Sequence, residues 1–185
     1  MKSGFFLFVI FLMITCTGEK SSKPLSPEEE KRKRLEEVFS GNLKKYNFKK
    51  LADGSFSLSI EYGGSMALTF FEQDRYAEYM KKIHAFYVYK TFLSLDKLNS
   101  LQLSLVKPYY VNYPDLNKEM IEEFEIFRIS VDRTILNPVL EKKVPEDYEK
   151  GSAKKKFSPE MLIIINSIIS KWKVELDEFH RVEIK

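Results

Sequence analysis

The residue types that carry most side-chain chemistry are scarce in this chain. The sequence contains two histidines, His84 and His180, and a single cysteine, Cys16. His84 stands in an apolar, helix-spaced stretch, which predicts a hydrogen-bonded and partly buried side chain, whereas His180 stands in a charged tail, which predicts exposure. No H-x-x-x-H pair is present, and one cysteine cannot build a multi-cysteine zinc site. We therefore predict no metal site and no cofactor.

Sequence motifs of the common catalytic sites are also missing. A serine nucleophile elbow requires G-x-S-x-G, which the stretch 63–67 (GGSMA) does not match, and neither a P-loop nor a dinucleotide fingerprint occurs. Glu122 and Glu123 would project to opposite sides of a strand, so they would not converge on one substrate atom. These absences favour a protein that is not an enzyme. An enzyme with a carboxylate-based or histidine-based site is the less favoured alternative.

Cys16 lies at the end of an export signal. Lys2 gives the start of the chain a positive charge, ten apolar residues follow from Phe5 to Ile14, and polar residues begin directly after the cysteine. This pattern is typical of a secretory signal peptide. The apolar run is half of the about 20 residues that a membrane-spanning helix needs. We predict that residues 1–15 are the signal peptide.

The residues around the cysteine add a second prediction. Residues 13–16 (MITC) resemble a bacterial lipobox of the relaxed kind found in spirochaete lipoproteins, with Met13 and Thr15 departing from the usual Leu and small residue. The resemblance implies that Cys16 is lipidated with palmitate-like acyl chains, and that the chain is anchored to the cell envelope by that lipid. Two or more acyl chains make a lasting anchor.

Residues next to the cysteine suggest where the protein goes. Thr17 replaces the Asp of the common inner-membrane sorting signal, so resemblance to that pattern implies the outer membrane or cell surface rather than the inner membrane. The lone cysteine excludes an intrachain disulfide. The alternative is an ordinary signal peptide that is cut near Gly18 and releases a secreted protein without an anchor.

Length and charge restrict the mature protein to one domain and a tether. Residues 16–25 are small and polar and predict a flexible lipidated tether, and residues 26–185 are long enough for a single domain with its own core. A net charge of +3 is too small for a nucleic-acid-binding surface, and a hydrophobic content of 44% argues against disorder.

The start of the domain predicts a helix and a hairpin. Residues 26–29 (SPEE) form a capping box that begins a helix, which we expect to run to about residue 46. Strict alternation over 55–62 predicts a strand. Gly63-Gly64 predicts a tight turn into a return strand through 66–70, the alternative being a helix that begins at Ser65.

Later segments predict a long helix, a second hairpin and a last helix. Apolar and aromatic residues at helical spacing predict the main core helix over 73–95. Alternation predicts strands over 101–111 and 124–131, with an irregularity at Phe127-Arg128. A polar loop is expected over 137–157, and then a helix whose apolar stripe continues through Trp172 and Leu176 before a fraying tail from Glu178. Together these elements predict an α+β fold, in which an antiparallel sheet of about four strands packs against a long aromatic helix, with further helices near both termini.

Two surface features suggest contacts with other molecules. Lys31, Arg32, Lys33 and Arg34 follow a short tether, so we predict that they contact lipid head groups, the alternative being a solvated helix face. Further basic residues that could lie near the head groups follow at Lys44, Lys45, Lys49 and Lys50. Tyr109, Tyr110 and Tyr113 stand together on a predicted strand, and we predict that they contact a ligand or protein partner, the alternative being packing against the aromatic helix.

The sequence therefore favours an anchored binding or interaction domain without catalytic activity. Its expected partners are the membrane, through the lipid, and a protein or small ligand, but not nucleic acid. The alternative function is a structural lipoprotein that maintains the envelope.

Overall fold

The structure, a computed structural model, describes residues 25–64, 73–113, 118–142, 144 and 157–181. The predicted signal peptide, Cys16 and nearly all of the tether lie outside these ranges. The elements in chain order are α1 (Pro27–Phe39), β1 (Leu43–Lys50), β2 (Phe56–Tyr62), α2 (Gln73–Ser94), β3 (Leu98–Tyr113), β4 (Lys118–Asp132), α3 (Arg133–Leu140), α4 (Pro159–Ile169) and β5 (Lys173–Asp177), followed by a 3₁₀ turn at Phe179–Arg181.

The five strands form one mixed sheet in the order β1-β2-β3-β4-β5. Adjacent strands in this sheet are antiparallel except for β2 and β3, which run parallel. The predicted α+β class is confirmed, but the sheet has five strands rather than about four and is not wholly antiparallel. The parallel pair arises because the long helix α2 connects β2 to β3, and such a crossover returns the chain in the same direction.

Helix α1 begins where the sequence predicts and ends earlier. The Ser26 hydroxyl accepts a hydrogen bond from the Glu29 amide at 3.3 Å, and the Glu29 carboxylate accepts one from the Ser26 amide at 2.8 Å. The expected extension to residue 46 is wrong. Ser40 and Gly41 adopt left-handed conformations, with φ of 48° and 82°, and this backbone geometry ends the helix.

The residues after that break form the edge strand β1. It pairs with β2 from Leu43↔Tyr62 to Lys50↔Phe56. The connecting turn is held by Asp53, whose carboxylate accepts hydrogen bonds from the Ser55 amide at 2.9 Å and the Ser55 hydroxyl at 2.6 Å. The first hairpin therefore lies before β2. The predicted return strand at 66–70 lies outside the described residues.

The second hairpin, β3 with β4, is confirmed. Its register runs from Ser100↔Asp132 to Tyr113↔Lys118. The expected irregularity lies just before Phe127-Arg128, because Leu105 pairs with Phe127 and Val106 pairs with Glu125, which leaves Ile126 as an extra residue. Ile126 and Phe127 are both buried as a result of this bulge.

The C-terminal part differs from the predicted loop and long helix. Residues expected at the start of a polar loop belong to α3, which buries Leu136, Val139 and Leu140, and the remainder of that loop lies largely outside the described residues. Helix α4 is confirmed, but it ends at Ile169 and the next residues form β5. The expected fraying tail is wrong at its start, because Phe179 is 4% exposed and belongs to the core.

The core lies between one face of the sheet and helices α1, α2, α3 and α4. Large inward side chains from β2, β3 and β4 alternate with polar residues on the opposite face, and the inward set includes Leu58, Ile60, Leu101, Leu103, Leu105 and Ile129. No helix in the described part covers the outward face. The described residues thus form a helical layer on one side of the sheet and leave a largely polar face on the other.

Candidate functional site

His84 belongs to the buried interior and not to a cleft. Its Nδ1 lies 2.8 Å from the Tyr62 hydroxyl, and its Nε2 lies 3.1 Å from the Leu103 carbonyl oxygen. Because a carbonyl only accepts, Nε2 carries the proton and Nδ1 accepts from the tyrosine. Burial lowers the pKa of His84 to about 3, so the ring is neutral at physiological pH.

That environment removes the best histidine candidate for catalysis. His84 is 0% exposed, and the rings of Phe127 and Trp172 lie 5.0 and 5.8 Å from it. The predicted hydrogen-bonded histidine is confirmed, and its burial is complete rather than partial. His180 is exposed as expected and lies 3.3 Å from the Glu178 carboxylate.

The basic run on α1 makes contacts within the domain. Arg32 pairs with Glu36 at 2.8 Å, and Arg34 pairs with Glu30 at 2.6 Å. Arg34 also donates to the Ser94 carbonyl at 2.8 Å. These arginines remain 62% and 44% exposed, so the predicted contact with lipid head groups stays a prediction for them.

Lys31, the first residue of the run, contacts two aromatic rings. Its ammonium lies 4.2 Å from the ring centre of Phe56 and 5.3 Å from that of Phe48. Such a cation over a ring face is held by the ring's quadrupole and stays near the protein surface. Lys33, by contrast, is exposed and has no ion pair within the described residues.

A two-stranded arm projects from the sheet. Pairing of β2 with β3 ends at Tyr62↔Leu105, and pairing of β5 with β4 ends at Phe127↔Asp177. Beyond those positions, residues 106–113 and 118–125 pair only with each other in the described part of the chain. We name these residues the arm. Eight residues of strand correspond to a length of about 26 Å.

The arm exposes large apolar side chains. Ile121 is 61% exposed and Phe124 is 42% exposed. Because the two residues are three positions apart on one strand, they project to opposite faces. Tyr109 packs edge-on against Phe124 with ring centres 5.7 Å apart and is partly buried. Neither face of the arm is therefore wholly polar.

Only one of the three predicted tyrosines can be placed. Tyr109 lies on the arm, and the side chains of Tyr110 and Tyr113 lie outside the described part of the chain. Their backbones pair with Ile121 and Lys118. Sequence reasoning missed Ile121 and Phe124 as exposed residues. The spacing Ile121-x-x-Phe124-x-Ile126 breaks strict alternation and was the available signal.

The open face of the sheet carries polar residues in rows across the strands. Ser57 stands beside Ser100, and Ser59 beside Gln102 and then Ser130. These residues line a shallow depression of about 370 Å³ that also reaches Lys171 and Lys173, and Tyr109 is not among its lining residues. The predicted contact of Tyr109, Tyr110 and Tyr113 with a ligand or protein partner stays a prediction.

A hydrogen-bonded carboxylate fixes one side of that face. The Gln102 amide donates to Glu175 at 2.9 Å, and the Arg128 guanidinium lies 3.4 Å from the same carboxylate oxygen. The hydrogen bond from Ser130, followed by those of Gln102 and the charges of Arg128 and Lys173, lowers the pKa of Glu175. The group is ionised at neutral pH and satisfied within the protein.

Metal-binding clusters, membrane-spanning helices and similarity to known proteins were also considered. Among the described residues, no three His, Cys, Asp or Glu side chains gather in a way that could hold a metal ion. Within the same residues, no helix combines the length and apolar character required to cross a membrane. Comparison with known proteins gave no match, whether to a protein-family model, a curated protein or a solved structure.

Proposed function

We propose that this chain is a cell-envelope lipoprotein, anchored through acyl chains on Cys16, whose domain binds a protein partner through the arm. The observation that supports binding is the exposure of Ile121 and Phe124 on strands that no other described strand accompanies. The resemblance of residues 13–16 to a lipobox supports the anchor. Thr17 supports the outer membrane or cell surface as the destination.

The arm pairs with no third strand among the described residues, and this favours a protein partner over a small ligand. An isolated pair of strands is marginally stable in water, and its outer edges present free backbone donors and acceptors. A partner can pair with such an edge and cover the apolar side chains at the same time. Full burial of one large apolar side chain contributes about 1.5–3 kcal/mol. Two such residues can dominate a small interface.

Charge indicates the character of that partner. Residues 118–125 (KEMIEEFE) carry four glutamates and one lysine. Glu123 contacts Lys44 at the base of the arm, and Glu125 pairs with Arg128 at 3.2 Å. The excess of negative charge disfavours pairing with a second copy of the same strand and favours a basic segment of another protein.

Substitution on the arm tests the proposed binding. The variant Ile121→Ser/Phe124→Ser should lose the partner that the unmodified protein retains after crosslinking in cells, with a fall in affinity of about 100-fold for about 3 kcal/mol of lost burial. Ile163→Ser is the matched control, because Ile163 is 60% exposed on α4, away from the arm. Equal recovery of the same partner by the arm variant and the control, or recovery of none by the unmodified protein, would contradict the proposal.

Labelling with a clickable fatty acid tests the anchor separately. We expect the unmodified chain to incorporate the label and Cys16→Ala to incorporate none and leave the membrane fraction. Undiminished labelling of Cys16→Ala would exclude this cysteine as the attachment point, and unlabelled wild-type protein would exclude the lipid.

A further inference from the structure

The edge strand β1 has an unusual composition for a strand that lies at the border of a sheet. Its sequence, LKKYNFKK, places four lysines and two aromatic residues within eight positions. In the described part of the chain it pairs only with β2, so its other edge is free. Lysines on an edge strand prevent pairing with other chains. That role does not require aromatic residues between them.

Three of the four lysines carry charge outward. Lys44 contacts Glu123, whereas Lys45 is 76% exposed and only 3.1 Å from the exposed carboxylate of Glu61. An exposed pair of this kind holds its cation weakly. Lys49 and Lys50 are exposed and have no ion-pair partner among the described residues.

Tyr46 lies on the same strand and is partly exposed, on the face opposite to Lys45 and Lys49. It is 37% exposed and contacts Phe48 edge-on, with ring centres 5.5 Å apart, and Phe48 in turn contacts Phe56 at 5.4 Å. Lys31 of α1 covers the far side of this group. A partly exposed tyrosine on a lysine-rich edge strand suits the interface between water and lipid, where one end of the ring is apolar and the other is wet.

The edge strand β1 lies beside the helix that follows the predicted tether. Ser26 caps α1 and is ten residues from Cys16 in the sequence. A fully extended tether of that length reaches at most about 35 Å. Helix α1 packs against β1 and α2, and the charge of Arg32 acts on Tyr46, so β1 lies beside the helix that the tether enters. The opposite edge of the sheet, β5, is four strand spacings away, or about 19 Å.

We infer that the β1 edge, through Lys45, Lys49, Lys50 and Tyr46, rests on anionic phospholipid head groups of the membrane that holds the anchor. This inference rests on the proposed anchoring. It moves the lipid contact from the arginines of α1, which pair with glutamates of their own helix, to the neighbouring strand. It also gives the domain a fixed orientation, in which a basic and aromatic edge faces the bilayer.

Vesicle binding by the unlipidated chain tests the inference apart from the anchor. The protein used for this experiment starts at Thr17, so that it lacks Cys16 and cannot carry the lipid. It keeps the whole described core, whose members lie between Leu35 and Phe179. Co-sedimentation uses phosphatidylcholine vesicles with and without phosphatidylglycerol. We expect binding to the anionic vesicles, little binding to the neutral ones, and weakening by salt. Each lysine near the surface strengthens binding by about fivefold.

Two matched charge reversals locate the contact. Lys49→Glu/Lys50→Glu should weaken binding to anionic vesicles by about 25-fold or more. Lys171→Glu/Lys173→Glu changes the net charge equally at the β5 edge and should weaken it far less. Tyr46→Ser should weaken binding with no change of charge. Circular dichroism confirms that each variant is folded.

The outcomes separate this inference from the proposed function. Equal weakening by the two reversals would mean that net charge alone attracts the protein, and it would overturn the inference, as would equal binding to neutral vesicles or none to either. If the wild-type chain incorporates no fatty acid but vesicle binding still depends on β1, the proposed anchor is wrong and the inferred lipid contact of β1 stands. Neither result depends on the arm.

Discussion

Burial of a neutral imidazole at His84 should make the domain sensitive to mild acid. The ring is 0% exposed, and its pKa is lowered to about 3 in the folded protein. The imidazole of an unfolded chain has a pKa of about 6.5. Below pH 6.5 the unfolded chain therefore binds a proton that the native protein does not, and the free energy of unfolding must fall as the pH falls.

The size of the effect follows from that difference. Stability is independent of this group above pH 6.5, falls by about 1.4 kcal/mol per pH unit below it, and becomes constant again below the folded pKa of about 3. Between pH 8 and pH 5 the loss is about 2 kcal/mol. Carboxylates with lowered pKa values, such as Glu175, take up protons at lower pH. The range from pH 8 to pH 5 therefore separates the effect of the histidine from that of these carboxylates.

Urea unfolding at several pH values measures this loss. Trp172 is the single tryptophan, and its ring lies 5.8 Å from His84, so its fluorescence reports on the surroundings of the histidine. His84→Gln should lower stability at pH 8, because the hydrogen bonds to Tyr62 and Leu103 are disturbed, and it should remove most of the pH dependence. His180→Gln, at an exposed position, should keep the slope. Equal slopes for the wild type and His84→Gln would refute the buried neutral imidazole.

Two further substitutions test the packing that supports the arm and the end of α2. Gly63→Ala should destabilise the domain by about 1–3 kcal/mol in urea unfolding, because the added Cβ would lie 2.0 Å from the Val106 carbonyl oxygen, and an unchanged stability would disprove this close approach. Arg133→Met should cost about 2–3 kcal/mol, because the guanidinium donates to the carbonyls of Leu98, Phe92 and Leu95 at 2.6–2.9 Å. Arg181→Met is the control, because its side chain is 66% exposed, and it should change stability by less than about 0.5 kcal/mol. Equal losses for the two arginines would contradict the stabilisation of the end of α2 by Arg133.

Local signals in the sequence predicted several elements correctly. The capping box at Ser26 marks the start of α1, strict alternation marks β2 and most of the second hairpin, and helical spacing marks α2. These signals depend on residues close in sequence, which is why they could be recognised before the fold was known.

Other elements could not be predicted because their sequence patterns fit two structures. Leu43 and Tyr46 continue the helical spacing of α1, and only the left-handed backbone at Ser40 and Gly41 ends that helix. Trp172 and Leu176 are four residues apart, which suits a helix, although α4 ends at Ile169 and Leu176 lies in β5. The lysines of β1 also hide its alternation, because both faces of an edge strand can carry charge.

The candidate sites depend on where neighbouring strands end. Tyr109 was predicted as a contact residue because three tyrosines stand close together in the sequence. The exposure of Ile121 and Phe124, by contrast, follows from the end of β2 pairing at Leu105 and the end of β5 pairing at Phe127. The broken alternation between Ile121 and Phe124 indicates that both faces of β4 carry apolar residues, but no local pattern in β4 shows where the neighbouring strands end. The parallel pairing of β2 with β3 is likewise a long-range choice made through α2.

Site-specific photocrosslinking in intact cells tests whether the arm binds a protein partner. We expect one discrete protein adduct when a photoreactive residue replaces Ile121 in the full chain with its signal peptide, because the proposed partner covers the arm. The same residue in place of Ile163, which is equally exposed at 60% against 61%, should give none. Adducts of equal yield at both positions, or no adduct at Ile121, would contradict the arm as the binding surface.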